Sequence, residues 1–281
     1  MLVREALDKA NQMLVECSPT PLLDARILLC CALEITREEL MLQAGLILNN
    51  SQEGTFFSSI KRRQNFEPIA YIIGQQEFYS LDFTVSQDVL IPRPETELII
   101  DHIIKCTADD THYNILELGT GSGIISVTLA KNIPHATITA IDISGKALKI
   151  AQKNAQQHNV KKQIDFLQSD WYEQITKNNH HYDIIVSNPP YIRLNDQSSI
   201  SKETIMHEPK IALYGSNDDG LGCYREIIKS AKNYLTNDGI VVVEIGYDQA
   251  EAVQNIFQQH QFQNTDIIQD YAGHDRVVIA R

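Results

Sequence analysis

The stretch "NILELGTGSGIISVTLAKN", Asn114 to Asn132, decides the fold. "NILELG" reads as a strand and "GIISVTLAKN" as a helix, with three glycines at the turn between them. Glycines there allow a tight turn and let a ligand approach the helix N-terminus. A tight strand-to-helix connection would need the same glycines without any ligand. The spacing narrows the reading. It is GxGxG (Gly119, Gly121, Gly123, with Thr120 and Ser122 between), not the dinucleotide GxGxxG, and no P-loop lysine follows.

The same grammar continues downstream. "ATITAID" is a strand and "SGKALKIAQKNAQQHN" a helix; "IDFLQSD" and "YDIIVSN" are strands. "LGCYREIIKSAKNYL" is a helix, "GIVVVEIG" a strand and "DQAEAVQNIFQQH" a helix. Alternation of this kind predicts an α/β, Rossmann-like sheet, mainly parallel, with helices on both faces. "TDIIQDY" and "DRVVIAR" have no helix between them and are expected to pair antiparallel.

Upstream the pattern differs. Residues 1–75 read as a small helical domain without strand alternation. Thr20-Pro21 suits an N-cap with proline at the first helical position, "TREE" (Thr36 to Glu39) is a capping box, and "PIAYIIG" is a brief helix closed by glycine. "EFYSLDFTVS" alternates and predicts a hairpin, so residues 76–90 form a linker. "IPRPETE" is then a stiff loop entering the helix "TELIIDHIIK", and residues 91–281 form the α/β domain.

Composition excludes several classes. The 281 residues are 43% apolar and 21% charged, ordinary for a globular protein of one or two domains. No apolar run nears the roughly 18 residues of a membrane span, and "MLVREALDKANQMLVE" is too charged for a signal peptide. Five cysteines (Cys17, Cys30, Cys31, Cys106, Cys223) are odd in number and make no CxxC pair, which fits reduced thiols in a cytosol. The nine histidines show no ligand spacing, so no metal site is expected. With a net charge of −12, and only "KRR" at Lys61–Arg63 and "KK" at Lys161–Lys162 as basic runs, sequence-independent nucleic-acid binding is disfavoured. Both runs are expected to be solvated faces. Without a heptad or long apolar face, a monomer is expected.

Two residues sharpen the ligand. Asp142 ends the strand "ATITAID", where a carboxylate can accept both hydroxyls of a ribose. It could instead cap the next helix, although Ser144 can do that. Trp171, the only tryptophan, follows the next strand beside Asp170 and could stack on an adenine face or simply pack in the core. A nucleoside site without a phosphate grip points to S-adenosylmethionine.

"NPPY", Asn188 to Tyr191, ends the fourth strand at the same rim. Pro189 and Pro190 lack N–H groups and hold their φ near −65°. The tetrapeptide therefore offers rigid acceptors, the Asn188 side-chain oxygen and a proline carbonyl, beside the flat Tyr191 ring. That suits a planar –NH2 group on an sp² carbon. Such groups occur on adenine and on the amide of glutamine.

The wider pattern separates these two acceptors. "PIAYIIGQQEFYSLDFTVSQDVLIPRPETE", "LELGTGSG", "DIS", "SNPPYI" and "HEPKIALYG" followed by "DGL" together resemble the peptide chain release factor glutamine methyltransferases. The likeness spans nearly the whole chain. Ribosomal-protein glutamine methyltransferases differ where "RPETE" (Arg93 to Glu97) stands here. The loop "YGSNDDGL" departs from the family by about one extra residue. The resemblance implies methyl transfer from S-adenosylmethionine to the glutamine of the Gly-Gly-Gln loop of release factors in the cytoplasm. Asn188, Pro189 and Tyr191 would be catalytic, and Asn188, Pro189, Pro190 and Tyr191 would bind substrate. Gly119, Thr120, Gly121, Ser122, Gly123, Asp142, Trp171 and Asn188 would bind cofactor. Arg93, Glu95 and Thr96 would either shape their loop, with Thr96 capping the helix, or close over the cofactor. The helical domain would grip the release factor. Adenine-N6 methylation of DNA or RNA is the alternative.

Overall fold

The computed structural model describes residues 1–43, 45–108, 110–175, 181–196, 200–216 and 219–281. Asn217 and Asp218, in the loop read as about one residue longer than is usual for the family, lie outside them. The chain forms two compact units, Met1–Gln75 with Ile200–His207, and Gln76–Ser199 with Glu208–Arg281.

The first unit is helical. Helix α1 (Val3–Leu14) buries Val3, Ala6, Ala10 and Leu14, one side of a 3.6-residue repeat. Helix α2 (Pro21–Leu33) starts on proline, but Thr20 does not cap it: its hydroxyl donates to Asp24 at 3.2 Å. Helix α3 (Arg37–Leu42) opens with the expected Thr36–Glu39 capping box, and α4 (Asn50–Gln64) with a second one from Asn49 and Gln52. Helix α5 (Ile69–Ile73) ends at Gly74, φ +77°. Leu14, Leu28, Leu29, Phe56 and Ile60 fill the centre. The basic run is not wholly a solvated face. Arg63 is 3% exposed, because it pairs with Asp24 at 2.7 Å and with Glu203 at 2.5 Å. A buried guanidinium needs such partners, and Glu203, with Lys202 over the Phe66 ring and His207 bonded to the Asn65 carbonyl, ties residues 200–207 to this unit.

The second unit begins with the hairpin β1 (Gln75–Phe78) and β2 (Leu81–Thr84). Its two turn residues, Tyr79 and Ser80, both have positive φ, as a hairpin with the native twist requires. Then follow α6 (Glu97–Cys106), β3 (Tyr113–Leu118), α7 (Ile124–Asn132), β4 (Ala136–Asp142), α8 (Gly145–Gln157), β5 (Ile164–Gln168) and β6 (Tyr182–Ser187). After α9 (Lys202–His207), which belongs to the first unit, come α10 (Gly222–Ala231), β7 (Leu235–Glu244), α11 (Ala250–Gln259), β8 (Thr265–Gln269) and β9 (Asp275–Ala280). The sheet order is β5-β4-β3-β6-β7-β9-β8. The first five strands are parallel, and β9 runs antiparallel to both its neighbours.

Helices α6, α7 and α8 cover one face through Ile99, Ile103, Leu129 and Ala155, and α10 and α11 cover the other through Tyr224, Ile227 and Phe257. From β3 the chain moves to β4 and β5 on one side; β6 and β7 lie on the other. The crevice at this switch point is where open α/β sheets bind ligands. The glycine loop follows β3 and the NPPY segment follows β6.

Candidate active site

A cavity of about 380 Å³ opens at that crevice. Gly119, Thr120, Gly121, Ser122, Asp142, Trp171, Asn188 and Pro190 all line it, as do Arg93 and Thr96. Gly123, Pro189, Tyr191 and Glu95 do not.

The glycine loop is folded around two carboxylates. Gly119 and Thr120 both donate their N–H to the Ile141 carbonyl at 2.8 Å, which tethers the loop to β4. Gly119 and Gly121 have φ of +76° and +55°, and a Cβ on either would meet nothing within 4 Å. The backbone is therefore bare where a ligand would lie. Gly123 differs: a Cβ there would stand 3.0 Å from that of Ala151, so this glycine serves the packing of α7 on α8. Asp142 accepts from Gly121 N and Ser144 N, each at 2.8 Å, while Ser144 caps α8 through Ala147 N. Asp142 is thus not the helix cap, and burial raises its pKa.

Glu117 was missed in the sequence. It is the last residue but one of β3, is fully buried, and lines the cavity. Its Oε2 accepts from Thr120 Oγ1 at 2.7 Å and Ser126 N at 3.1 Å, while among the described residues nothing bonds to Oε1. Burial pushes this carboxyl up to about 7. An acid within the apolar end of a strand, between Leu116 and Leu118, was the available signal, since Glu is almost never fully buried unless paired.

Asn188 is anchored from behind. Its Nδ2 donates to Thr96 Oγ1 at 3.1 Å, and Thr96 donates to Glu244 Oε2 at 2.6 Å. Thr96 therefore does not cap α6; its hydroxyl is spent on these two partners. Trp171 both lines the cavity and packs on the apolar cluster beside it. Tyr191 lies over Gly246, and its carbonyl accepts from Gln249 Nε2 at 3.1 Å. Burial pushes the phenol up.

The motifs are also tied to one another. Glu208 of "HEPK" accepts from Ile91 N at 3.1 Å and pairs with Arg93 at 2.5 Å, which clasps the "IPRPETE" loop. Ile192 N donates to Leu213 O and Gly215 N donates back to Ile192 O, each at 3.0 Å, so "HEPKIALYG" runs beside the NPPY segment. Asn154 joins the hairpin to the glycine loop, bonding Thr84 N, Thr84 O and Ser122 O within 3.0 Å.

A parallel sheet with a glycine loop after its central strand and NPPY across the switch point defines a class I methyltransferase. Residues 94–216 match the Methyltransferase small domain family and residues 5–74 the PrmC N-terminal domain. Solved structures share the fold: a Pyrococcus furiosus methyltransferase has a TM-score of 0.53 at 17% identity over 72% of this chain and 89% of its own. A Thermus thermophilus 16S rRNA methyltransferase, solved with S-adenosylmethionine and guanosine, has 0.53 at 16% identity over 74% and 49%.

The chain belongs to the release factor glutamine methyltransferases. It is 42% identical to that enzyme of Coxiella burnetii over 99% of this chain and 98% of the relative, and 35% identical to that of Aliivibrio fischeri over 99% and 96%. It is also 39% identical to a bifunctional methyltransferase of Rickettsia typhi, of which it spans 56%. Among the described residues no helix is long and apolar enough to cross a membrane.

Proposed function

We propose that this methyltransferase uses S-adenosylmethionine to methylate the side-chain nitrogen of the glutamine in the Gly-Gly-Gln loop of peptide release factors. The observation that carries the reading is the orientation of Asn188: its donor is committed to Thr96, which leaves Oδ1 as the acceptor offered at the cavity.

The residues present fit the cofactor. The partnerless buried Oε1 of Glu117 suits an ammonium. Asp142 keeps lone pairs for ribose hydroxyls beyond its two backbone bonds, and Trp171 offers a ring for the base. Bound S-adenosylmethionine supplies an electrophilic methyl on a sulfonium.

The protein must make a poor nucleophile adequate. An amide lone pair is delocalised, and losing that conjugation entirely costs about 18–20 kcal/mol. Asn188 Oδ1 draws on one N–H of the substrate, and the second acceptor is a proline carbonyl of the same segment, of which Pro190 and not Pro189 lines the cavity. With both N–H bonds held in fixed directions, partial pyramidalisation toward the methyl costs less, and the remaining gain is alignment. The proton leaves to water after transfer, so no strong base is needed. Tyr191 packs against the apolar cluster, and the Gln249 bond to its carbonyl holds this end of the segment.

The test offers tritiated S-adenosylmethionine with a bacterial release factor, its loop variant with glutamine changed to alanine, and adenine-rich DNA. Label should enter the unmodified factor alone; label in DNA refutes the acceptor. Asn188→Ala should lower kcat about 10²–10³-fold with folding intact, as loss of one catalytic hydrogen-bonding group does.

A further inference from the structure

Asn188 is useful only with its oxygen turned to the substrate. An asparagine amide is nearly symmetric in shape, and the reversed orientation would present –NH2 to another –NH2. Something must choose between the two. The choice is made by two buried residues far apart in sequence, Thr96 at 0% and Glu244 at 2% exposure.

We propose that Thr96 and Glu244 are positioning residues for the transfer: the Glu244 carboxylate takes the single Thr96 hydroxyl proton, so Thr96 can only accept from Asn188, and Asn188 Oδ1 is forced toward the cavity. The inference rests on the reading of Asn188 as acceptor. A carboxylate has no proton to give, so Thr96 must donate to it, as the 2.6 Å contact shows. The Thr96 oxygen then faces Asn188 with a lone pair only, and a reversed amide would set two acceptors against each other. Thr96 is free for this duty because it makes no capping bond to α6.

The direction of this chain depends on the charge of Glu244. Burial raises that carboxyl to about 7, Glu95 pushes the same way, and Arg276 and the bonds from Thr96 and Asn188 oppose it. Facing it also are the phenols of Tyr191 and Tyr224, the latter donating to the Glu244 carbonyl at 3.0 Å. Once protonated, Glu244 donates to Thr96. The Thr96 proton is then released to turn to Asn188 Oδ1, and the amide is no longer held in one orientation. Acid should therefore lower kcat through this loss of orientation even while cofactor and substrate stay bound.

The test compares wild type, Thr96→Val, Thr96→Ser and Glu244→Gln. Thr96→Val should lower kcat about 10–100-fold, less than loss of the acceptor itself, with KM for S-adenosylmethionine within about twofold. Thr96→Ser should restore most of it, and Glu244→Gln, which has no proton to gain in this range, should lose the acid limb of the profile. The side-chain amide resonance of Asn188, assigned by its loss in Asn188→Ala, reads the orientation without turnover. It should shift in Thr96→Val and, in wild type, between about pH 5.5 and 8.5. A Thr96→Val kcat within twofold of wild type, or Thr96→Ser as poor as Thr96→Val, overturns the proposal. So does a resonance unmoved by pH, which decides the matter even if Thr96→Val does not fold. Failure of release-factor labelling would instead count against the substrate assignment, since the resonance does not depend on it.

Discussion

Replacing Glu117 by glutamine should strengthen the fold and weaken the cofactor site together. In the folded chain its carboxyl sits at about 7, against an ordinary 4.5, chiefly because it is fully buried. The folded state therefore keeps a proton that the unfolded chain gives up between about pH 4.5 and 7. Over that window stability falls as pH rises, by about 3 kcal/mol in all, and then levels off. Glutamine has the same shape and bears no such cost. Its oxygen can still accept from Thr120 and Ser126, and its nitrogen falls where Oε1 already lacks a partner. Glu117→Gln should thus be about 2–3 kcal/mol more stable than wild type at about pH 8, with the gap closing by about pH 5. The ammonium of the cofactor loses its anionic partner at the same time. A hydrogen bond to a charged group is worth about 1.5–3 kcal/mol, so affinity should drop roughly 10–100-fold. Urea denaturation at the two pH values and calorimetry with S-adenosylmethionine measure both effects. A variant less stable than wild type at high pH, with no narrowing toward acid, would refute the burial cost. Unchanged affinity would sever Glu117 from the cofactor.

Gly123→Ala should destabilise by about 2–3 kcal/mol, from a φ of +82° and a Cβ crowded to 3.0 Å by Ala151. Adding Ala151→Gly should recover the crowding part but not the backbone part, as a double-mutant cycle in urea would read. Trp171→Leu should leave the fold intact and weaken S-adenosylmethionine binding by about 1–3 kcal/mol, the worth of a base stacked on an aromatic ring, by calorimetry.

The layout of the α/β sheet was open in the sequence because apolar strands and amphipathic helices alternate there with glycine punctuation. The antiparallel end was open too, since "TDIIQDY" and "DRVVIAR" leave no room for a crossover. What stayed hidden depends on pairs distant in the chain. Thr96 looked like a helix cap because capping is local; its actual partners are Asn188 and Glu244. Arg63 looked like one of three solvated cations, and only Asp24 and Glu203 reveal otherwise. Glu117 and Glu244 shared one visible trait, an acid at the carboxyl end of an apolar strand, and both strands end at the binding rim.

Those two glutamates give the cavity an uneven field. On the glycine-loop side, Glu117 and Asp142 stand against the walls with few competing cations. S-adenosylmethionine carries a sulfonium and an ammonium against one carboxylate, and that side suits it. On the substrate side the group at the wall is a neutral amide, with the Glu244 carboxylate behind it, reached through Thr96 and facing Asn188 itself. An aspartate at 188 would accept a hydrogen bond more strongly, but it would also hold the sulfonium ground state, whose charge is lost in the transition state. Catalysis gains only from what tightens as the methyl moves. In the arrangement proposed above, the charge at Glu244 and its oriented proxy at Asn188 would fix the direction of the acceptor while keeping the anion away from the cation that must disappear.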